Sequence, residues 1–347
     1  MKLLVLFLTV FIVASLAWAA TIVVPKHYSD QVKESLKEKC PACQFDSQNI
    51  QINPLNGTAE VKSILFANDP SENTFVKVTV EEIKVWMNVE KLIRYQFEID
   101  HLQIKKIQVL IVEKHHEHEA PANPAQLREL EASYTGKVLE ALPPLFIRSV
   151  EIDQGSLTYV LKIFGKEAKI SVFDINGELS PLSTRGNLGP RYSNATVTAR
   201  LENSGLVTLN LQADLFSVKN RDHLEIDLQH QPLNQLDPFF FVEDGISFHG
   251  DIHRIHAALD VNQGHLTGLL EAAYSGLSFH ETETPDQGVI KTVVINILTG
   301  FKTAETKPSK GVRPPVAKVN YDRRPGQSVT NFILKGLKPA AFKVIAK

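Results

Sequence analysis

Most of this chain alternates apolar and polar residues with period two, and stretches of helical period are few. Ala195, Val197, Ala199 and Leu201 alternate with Thr196, Thr198, Arg200 and Glu202. After a turn at Asn203-Ser204-Gly205, Val207, Leu209, Leu211 and Ala213 alternate with Thr208, Asn210, Gln212 and Asp214. Successive side chains of a strand point to opposite sides, so each such segment has one apolar and one wet face. A chain dominated by them must cover a long apolar sheet face, and what covers it decides the function.

The same grammar extends in both directions. Val76, Val78 and Val80 switch parity to Ile83, Val85, Met87 and Val89, so Glu81-Glu82 predicts a β-bulge that keeps one apolar face on one side. Tyr95, Phe97 and Ile99 follow, then an apolar strand from Ile107 to Val112. Leu157, Tyr159, Leu161 and Ile163 alternate, as do Leu224, Ile226 and Leu228. A hairpin joins Ile246–Val261 to Leu266–His280 through Asn262-Gln263-Gly264. Short consecutive connections predict an antiparallel meander.

Beyond a short amphipathic pattern at Tyr28, Val32 and Leu36, helical pattern occurs in three places. Asn123 as cap and Pro124 at the first helical position open a helix carrying Leu127, Leu130, Tyr134, Val138 and Leu142, stopped by Pro143-Pro144. Asp286 caps a second, with Val289-Ile290, Val293-Val294 and Ile297-Leu298, ended by Gly300. Ser328 starts a third, with Val329, Phe332, Ile333, Gly336 and Leu337 on one side. The expected organisation is a membrane segment over 1–25, a strand block over 26–119, a connecting helix over 120–144, the meander over 145–322 and a C-terminal helix over 323–347.

Residues Leu3 to Val24 form one uncharged apolar run behind Lys2. It is long enough to span a bilayer as a signal anchor. Ala17-Trp18-Ala19 also fits a signal-peptide cleavage site, which leaves a soluble exported product as the alternative. Either way the bulk of the chain is expected outside the cytoplasm. Cys40 and Cys43, the only cysteines, suit a small disulfide in that compartment. A redox role needs an acidic thiolate, commonly at a helix N-terminus, and this pair follows a short helical pattern instead. Two thiols alone make only half a zinc site.

A net charge of −2 with no basic block excludes nucleic acid as a partner. Roughly a dozen apolar-faced strands with only a few helices exceed what a soluble monomer leaves exposed. A transmembrane barrel needs aromatic belts, and aromatics are 8% and form none. The fold class is therefore mainly β: a long curled antiparallel sheet, either packed on itself as a sandwich or holding an apolar ligand in a groove.

At Leu55-Asn56-Gly57-Thr58-Ala59-Glu60-Val61 through Ile64, and at Asn68-Asp69-Pro70, the chain resembles the AsmA-like envelope proteins. Val76 to Val89 and Ile99 to Glu113 stand where that family has its next strands. Asp237-Pro238-Phe239, Gly245-Ile246-Ser247-Phe248-His249-Gly250 and the ending Ser328 to Leu337 resemble a branch of the same group with no assigned function. The likeness covers most of the chain as a pattern. It implies a groove related to bridge-like lipid-transfer proteins, with phospholipid or another acyl chain as ligand, the inner membrane as anchor and envelope proteins as partners. It implies a role in phospholipid handling and outer-membrane integrity, not an enzyme. A dozen strands at ~4.8 Å give a groove of roughly 60 Å, which favours a tethered module over a complete conduit.

The groove candidates are Val197, Ala199, Leu209, Leu211, Ile226, Leu228, Ile246 and Phe248. The alternatives are a non-catalytic scaffold with a closed β-sandwich core and a metal-dependent hydrolase. The hydrolase would use His249, Asp251 and His253, which stand at alternate positions of one strand and need a partner strand to complete a metal site. The run His115-His116-Glu117-His118-Glu119 holds ligand-type residues, but nothing there orients them. No nucleophile triad, P-loop or dinucleotide fingerprint occurs, and no catalytic residue or cofactor is expected.

Overall fold

The computed structural model describes residues 43–53, 56–70, 74–88, 91, 97–115, 145–163, 165–183, 190, 192–214, 221–244, 246–281, 314–323 and 329–345. Fourteen strands form one sheet. They are β1 (Gln44–Asn53), β2 (Thr58–Ala67), β3 (Thr74–Met87), β4 (Phe97–Lys105), β5 (Gln108–His115), β6 (Leu145–Ile163) and β7 (Lys166–Ser180). The remainder are β8 (Leu182–Ser183), β9 (Ser193–Leu201), β10 (Gly205–Ala213), β11 (Arg221–Pro232), β12 (Ile246–Asn262), β13 (His265–Glu281) and β14 (Val316–Asp322). The described helices are α1 (Asp237–Asp244), α2 (Val329–Ile345) and a single 3-10 turn, Leu233–Gln235.

The fold is mainly β, as the alternation predicts, but the sheet is mixed rather than antiparallel. The path is β1-β2-β3-β4-β6-β7-β9-β10-β11-β12-β13-β14, with β5 beside β3 and β6 and β8 beside β6. Strands β4 and β5 both run parallel to β6. Alternation has the same period in either direction, so the pattern alone does not reveal it. The clue is connection length, since parallel neighbours need a long crossover and residues 116–144 separate β5 from β6.

Strands β4 and β5 are two arms of one lane. Both pair with β3 in one register, which slips only at Met87 at the far end of β4, and both pair with β6 in another that is continuous. The break between them falls at Lys106, whose φ is 51°. Ser63 on β2 (φ 54°), Gln154 on β6 (φ 57°) and Asp174 on β7 (φ 50°) have the same left-handed backbone. Ser63 stands at the level of Glu81 on β3, where β2 and β3 both leave one pair unassigned without changing register. In β2 and β3 alike the buried positions switch parity there, from Val61 to Ile64 and from Val80 to Ile83. The parity switch expected at Glu81-Glu82 is thus one member of a line of bulges crossing β2 to β7. The line ends between β7 and β9, where the register slips by one residue. Each bulge bends its strand and turns the apolar side chains back to the same face.

Two main apolar clusters occupy that face. One gathers residues of β2 to β6 with Leu182 of β8, and the other joins β11 to β14 with both helices. Helix α1 was not expected from sequence. It packs on β12, β7 and β6, beyond the hairpin where the short strands β9 and β10 end. Phe239 meets Tyr159 of β6 at 6.0 Å, and Phe240 meets Phe248 of β12 at 5.0 Å. The C-terminal helix forms as predicted and packs on β13 and β14. No helix among the described residues is long and apolar enough to cross a membrane. The Leu3–Val24 run and the helices expected from Asn123 and from Asp286 lie outside the described residues.

Candidate functional site

Register places two uninterrupted apolar rungs across eleven lanes of the sheet. The first runs Val61, Ile83, Ile104, Ile152, Gly177, Val197, Leu209, Ile226, Ala257, Leu270 and Ala317. The second runs Ala59, Val85, Leu102, Val150, Leu179, Ala195, Leu211, Leu224, Leu259, Gly268 and Val319. Neither contains a polar residue. Directly opposed side chains in a ladder share a face, so the two rungs make one continuous apolar strip.

Burial along the strip is uneven, and the unevenness locates the site. Val61, Ile83 and Ile104 are buried at one end, as are Ala257, Leu270 and Ala317 at the other. Between them Ile152, Gly177, Val197, Leu209 and Ile226 are only half-buried. Leu179, Ala195 and Leu211 on the second rung behave the same way. The opposite face at that level is polar, with Thr196 donating to Asn210 Oδ1 at 3.1 Å and Gln212 to Asn194 Oδ1 at 3.1 Å. The half-covered apolar floor therefore lies over β7, β9, β10 and the facing parts of β6 and β11.

Most of the groove candidates meet on this floor. Val197, Leu209 and Ile226 stand side by side on the first rung, and Leu211 stands on the second. Ala199 and Leu228 flank Val207 on the next, with Ala199 buried and Leu228 half-buried. Phe248 is buried at 7% exposure, in the ring contact with Phe240, so it belongs to the wall beside α1. Its backbone N–H donates to Asp237 Oδ1 at 2.6 Å, which ties β12 to the start of that helix. Ile246 opens β12 opposite Glu281. Missed by pattern reasoning were Ile152, Gly177 and Leu179, which complete the floor from β6 and β7. Register was needed to find them, because bulges interrupt the alternation there.

The polar groups on this face are paired. Gln231 is fully buried, accepts a hydrogen bond from the Gly205 N–H at 3.1 Å and donates to the Pro232 carbonyl at 2.9 Å. The Tyr159 hydroxyl donates to Glu113 Oε2 at 2.6 Å. Burial pushes the Tyr274 hydroxyl above its ordinary range.

The ionisable groups gather on the outer face instead. Burial pushes the Asp227 carboxyl up, but hydrogen bonds from Arg254 and Gln229 outweigh it and hold it below the usual carboxylate range. His223 is raised by its hydrogen bond to Asp260, against partial desolvation. His249 and Asp251 are exposed, whereas His253 is the extra residue of a bulge between Ile252 and Arg254. Its Nε2 lies 2.8 Å from Ser275 Oγ. A second irregularity at Gly250 (φ 118°) separates His249 from Asp251, so the even spacing expected of these three residues does not hold. No three His, Cys, Asp or Glu groups among the described residues come together as a metal site. Cys43 is disulfide-bonded just ahead of β1, and Cys40 lies outside the described residues. His115 closes β5, and the rest of the histidine-rich run lies outside them too.

Comparison with protein-family models and with curated proteins found no match to the chain.

Proposed function

We propose that the sheet curls into an apolar trough that holds the acyl chain of a phospholipid or a related lipid, in a module tethered to the inner membrane with its bulk in the periplasm. One observation carries the reading: the two apolar rungs run without a polar residue under both packed ends and through a half-buried middle. Two lines of bulges support the curl. The first crosses β2 to β7; the second pairs His230 on β11 (φ 57°) with His253 on β12. Between them β9 and β10 pair without a bulge, so the flanks bend and the floor stays regular. The half-buried stretch crosses five strands, about 20 Å at sheet spacing, room enough for an extended acyl chain. The AsmA-like resemblance and the apolar Leu3–Val24 run support the membrane setting. Among the described residues the two rungs are apolar throughout, which suits holding a lipid.

The test uses two faces of one strand. Leu211 is half-buried on the floor and Gln212 is exposed on the outer face. An unpaired carboxylate in a dry core costs several kcal/mol and threatens folding. In a trough it tilts toward the open mouth. Leu211→Asp is expected to fold with a modestly lowered Tm and to lose the lipid that gentle purification retains on the wild type. Gln212→Asp should do neither. Lipid extraction followed by mass spectrometry reads both outcomes. If wild-type extracts are lipid-free and Leu211→Asp does not fold, the chain is a closed-core scaffold and the trough is wrong.

A further inference from the structure

The apolar strip does not stop at the half-buried floor; its last pairs, Leu270 with Ala317 and Gly268 with Val319, belong to the strands that carry α2. The helix meets those strands along Phe332, Gly336, Ala340 and Val344, spaced four apart on one side. Phe332, Ala340 and Val344 are at most 1% exposed. Phe332 lies 5.9 Å from the Tyr321 ring, and a Cβ on Gly336 would fall 2.5 Å from Leu266 Cδ2. The backbone thus sits close to β13 and β14 while half of the stripe is glycine and alanine, which bring few apolar atoms to the contact. The helix is also weak in itself. Gly336 and Pro339 are the two poorest helix formers, and Pro339 has no N–H for the carbonyl of Lys335. Packing on β13 and β14 is what keeps such a segment helical.

Its charge points to a second resting place. Val329–Ile345 carries Lys335, Lys338 and Lys343 and no acidic residue, among Ile333, Leu337 and other apolar side chains. That composition is the one that binds an anionic bilayer surface, apolar side down and lysines at the headgroups. We propose that α2 is a strap that exchanges between β13–β14 and an anionic phospholipid surface, uncovering the end of the apolar strip when it moves to the bilayer. Its purpose rests on the acyl-chain reading above, because the uncovered end of the strip is where a lipid would enter; its geometry does not.

A cross-link reports the docked position. The Gly336 Cβ position lies 3.2 Å from Tyr321 Cβ, near the separation of about 3.5–4.5 Å found across disulfides. The full chain carrying Tyr321→Cys and Gly336→Cys is reconstituted into phosphatidylcholine membranes, with or without phosphatidylglycerol, and mildly oxidised. The disulfide is expected to form several-fold more slowly in the anionic membrane. Adding Lys335→Gln, Lys338→Gln and Lys343→Gln should erase the difference. Equal rates in the two membranes overturn the proposal. Should the cysteine pair disturb folding, a fluorophore on Lys343→Cys, an exposed position, gives an independent reading. Brominated phosphatidylglycerol should quench it and brominated phosphatidylcholine alone should not; absence of quenching in both sinks the strap. Neither readout requires lipid in the trough. A chain that shows the shift but holds no acyl ligand keeps the strap and loses the trough, and the reverse pattern loses only the strap.

Discussion

Gln231 has no exposed surface, yet its amide is satisfied on both sides, by the Gly205 N–H and by the Pro232 carbonyl and Gln235. That arrangement leaves no room for a side chain at Gly205, where a Cβ would stand 2.3 Å from Gln231 Oε1 and 2.8 Å from Leu228 Cδ1. Gly205→Ala is therefore expected to destabilise the chain by about 1–3 kcal/mol, the usual cost of overpacking, as a lowered midpoint in a urea melt at unchanged slope. Glu98 makes a pH-dependent case. Burial raises its carboxyl, but hydrogen bonds from Lys91 and Arg148 outweigh that and leave it below the ordinary glutamate range. A carboxyl lowered in the folded state contributes stability above its unfolded value, roughly 4.3, and loses it as pH falls through the folded value. Glu98→Gln should be the less stable chain at neutral pH, with the gap to wild type closing in acid. A gap that stays constant in melts down to that range would mean that the carboxylate is not what Lys91 and Arg148 hold. His223 runs the other way: its folded value is raised, so its contribution is present below about 6.5 and lost as pH rises through the folded value. Asp260→Asn should lower its titration midpoint in a histidine NMR experiment.

At the scale of the element, the line of bulges is built from residues that resist it. Ser63, Lys106, Gln154 and Asp174 all have positive φ, and none is glycine. A left-handed backbone costs a residue with a Cβ roughly 1–2 kcal/mol, most for β-branched side chains. Ser63 is exposed, so its backbone can be tested without disturbing the core. Ser63→Gly should leave stability unchanged or slightly raised, while Ser63→Val should lower it by at least about 1 kcal/mol in a thermal melt. Equal effects would mean that the bend is not held at this residue. These elements also show what alternation reveals. Strands β3 and β9 to β13 were legible because their apolar residues keep period two, and even the bulge in β3 showed as the parity switch after Val80. Helix α1 was not legible, since eight residues beginning Asp-Pro and carrying Phe239, Phe240 and Phe241 in a row give no repeat to count. Strands β4, β5 and β6 also showed in the pattern, but their parallel course did not, because strand direction leaves no mark on alternation. The floor positions on β6 and β7 were obscured by the bulges at Gln154 and Asp174, which shift the parity of the very strands that complete the site.

For the whole molecule, the decisive contrast lies along a single rung. Ile83 and Leu209 occupy the same register line, five lanes apart, yet Ile83 is fully buried and Leu209 only half-buried. A sandwich would pack both into dry cores and treat them alike. A trough filled at its ends and open over β9 and β10 treats them differently, because water or the open mouth is within reach of a charged group only in the middle. Ile83→Asp is thus expected to abolish folding, since a lone carboxylate in a filled core costs several kcal/mol against a total stability of about 5–15 kcal/mol. Leu209→Asp should remain folded, with its melting transition intact and moved down by some degrees. Circular dichroism melts of the two variants decide it. If Leu209→Asp fails as Ile83→Asp does, the middle of the rung is as closed as its ends, and the sheet is a packed core from edge to edge.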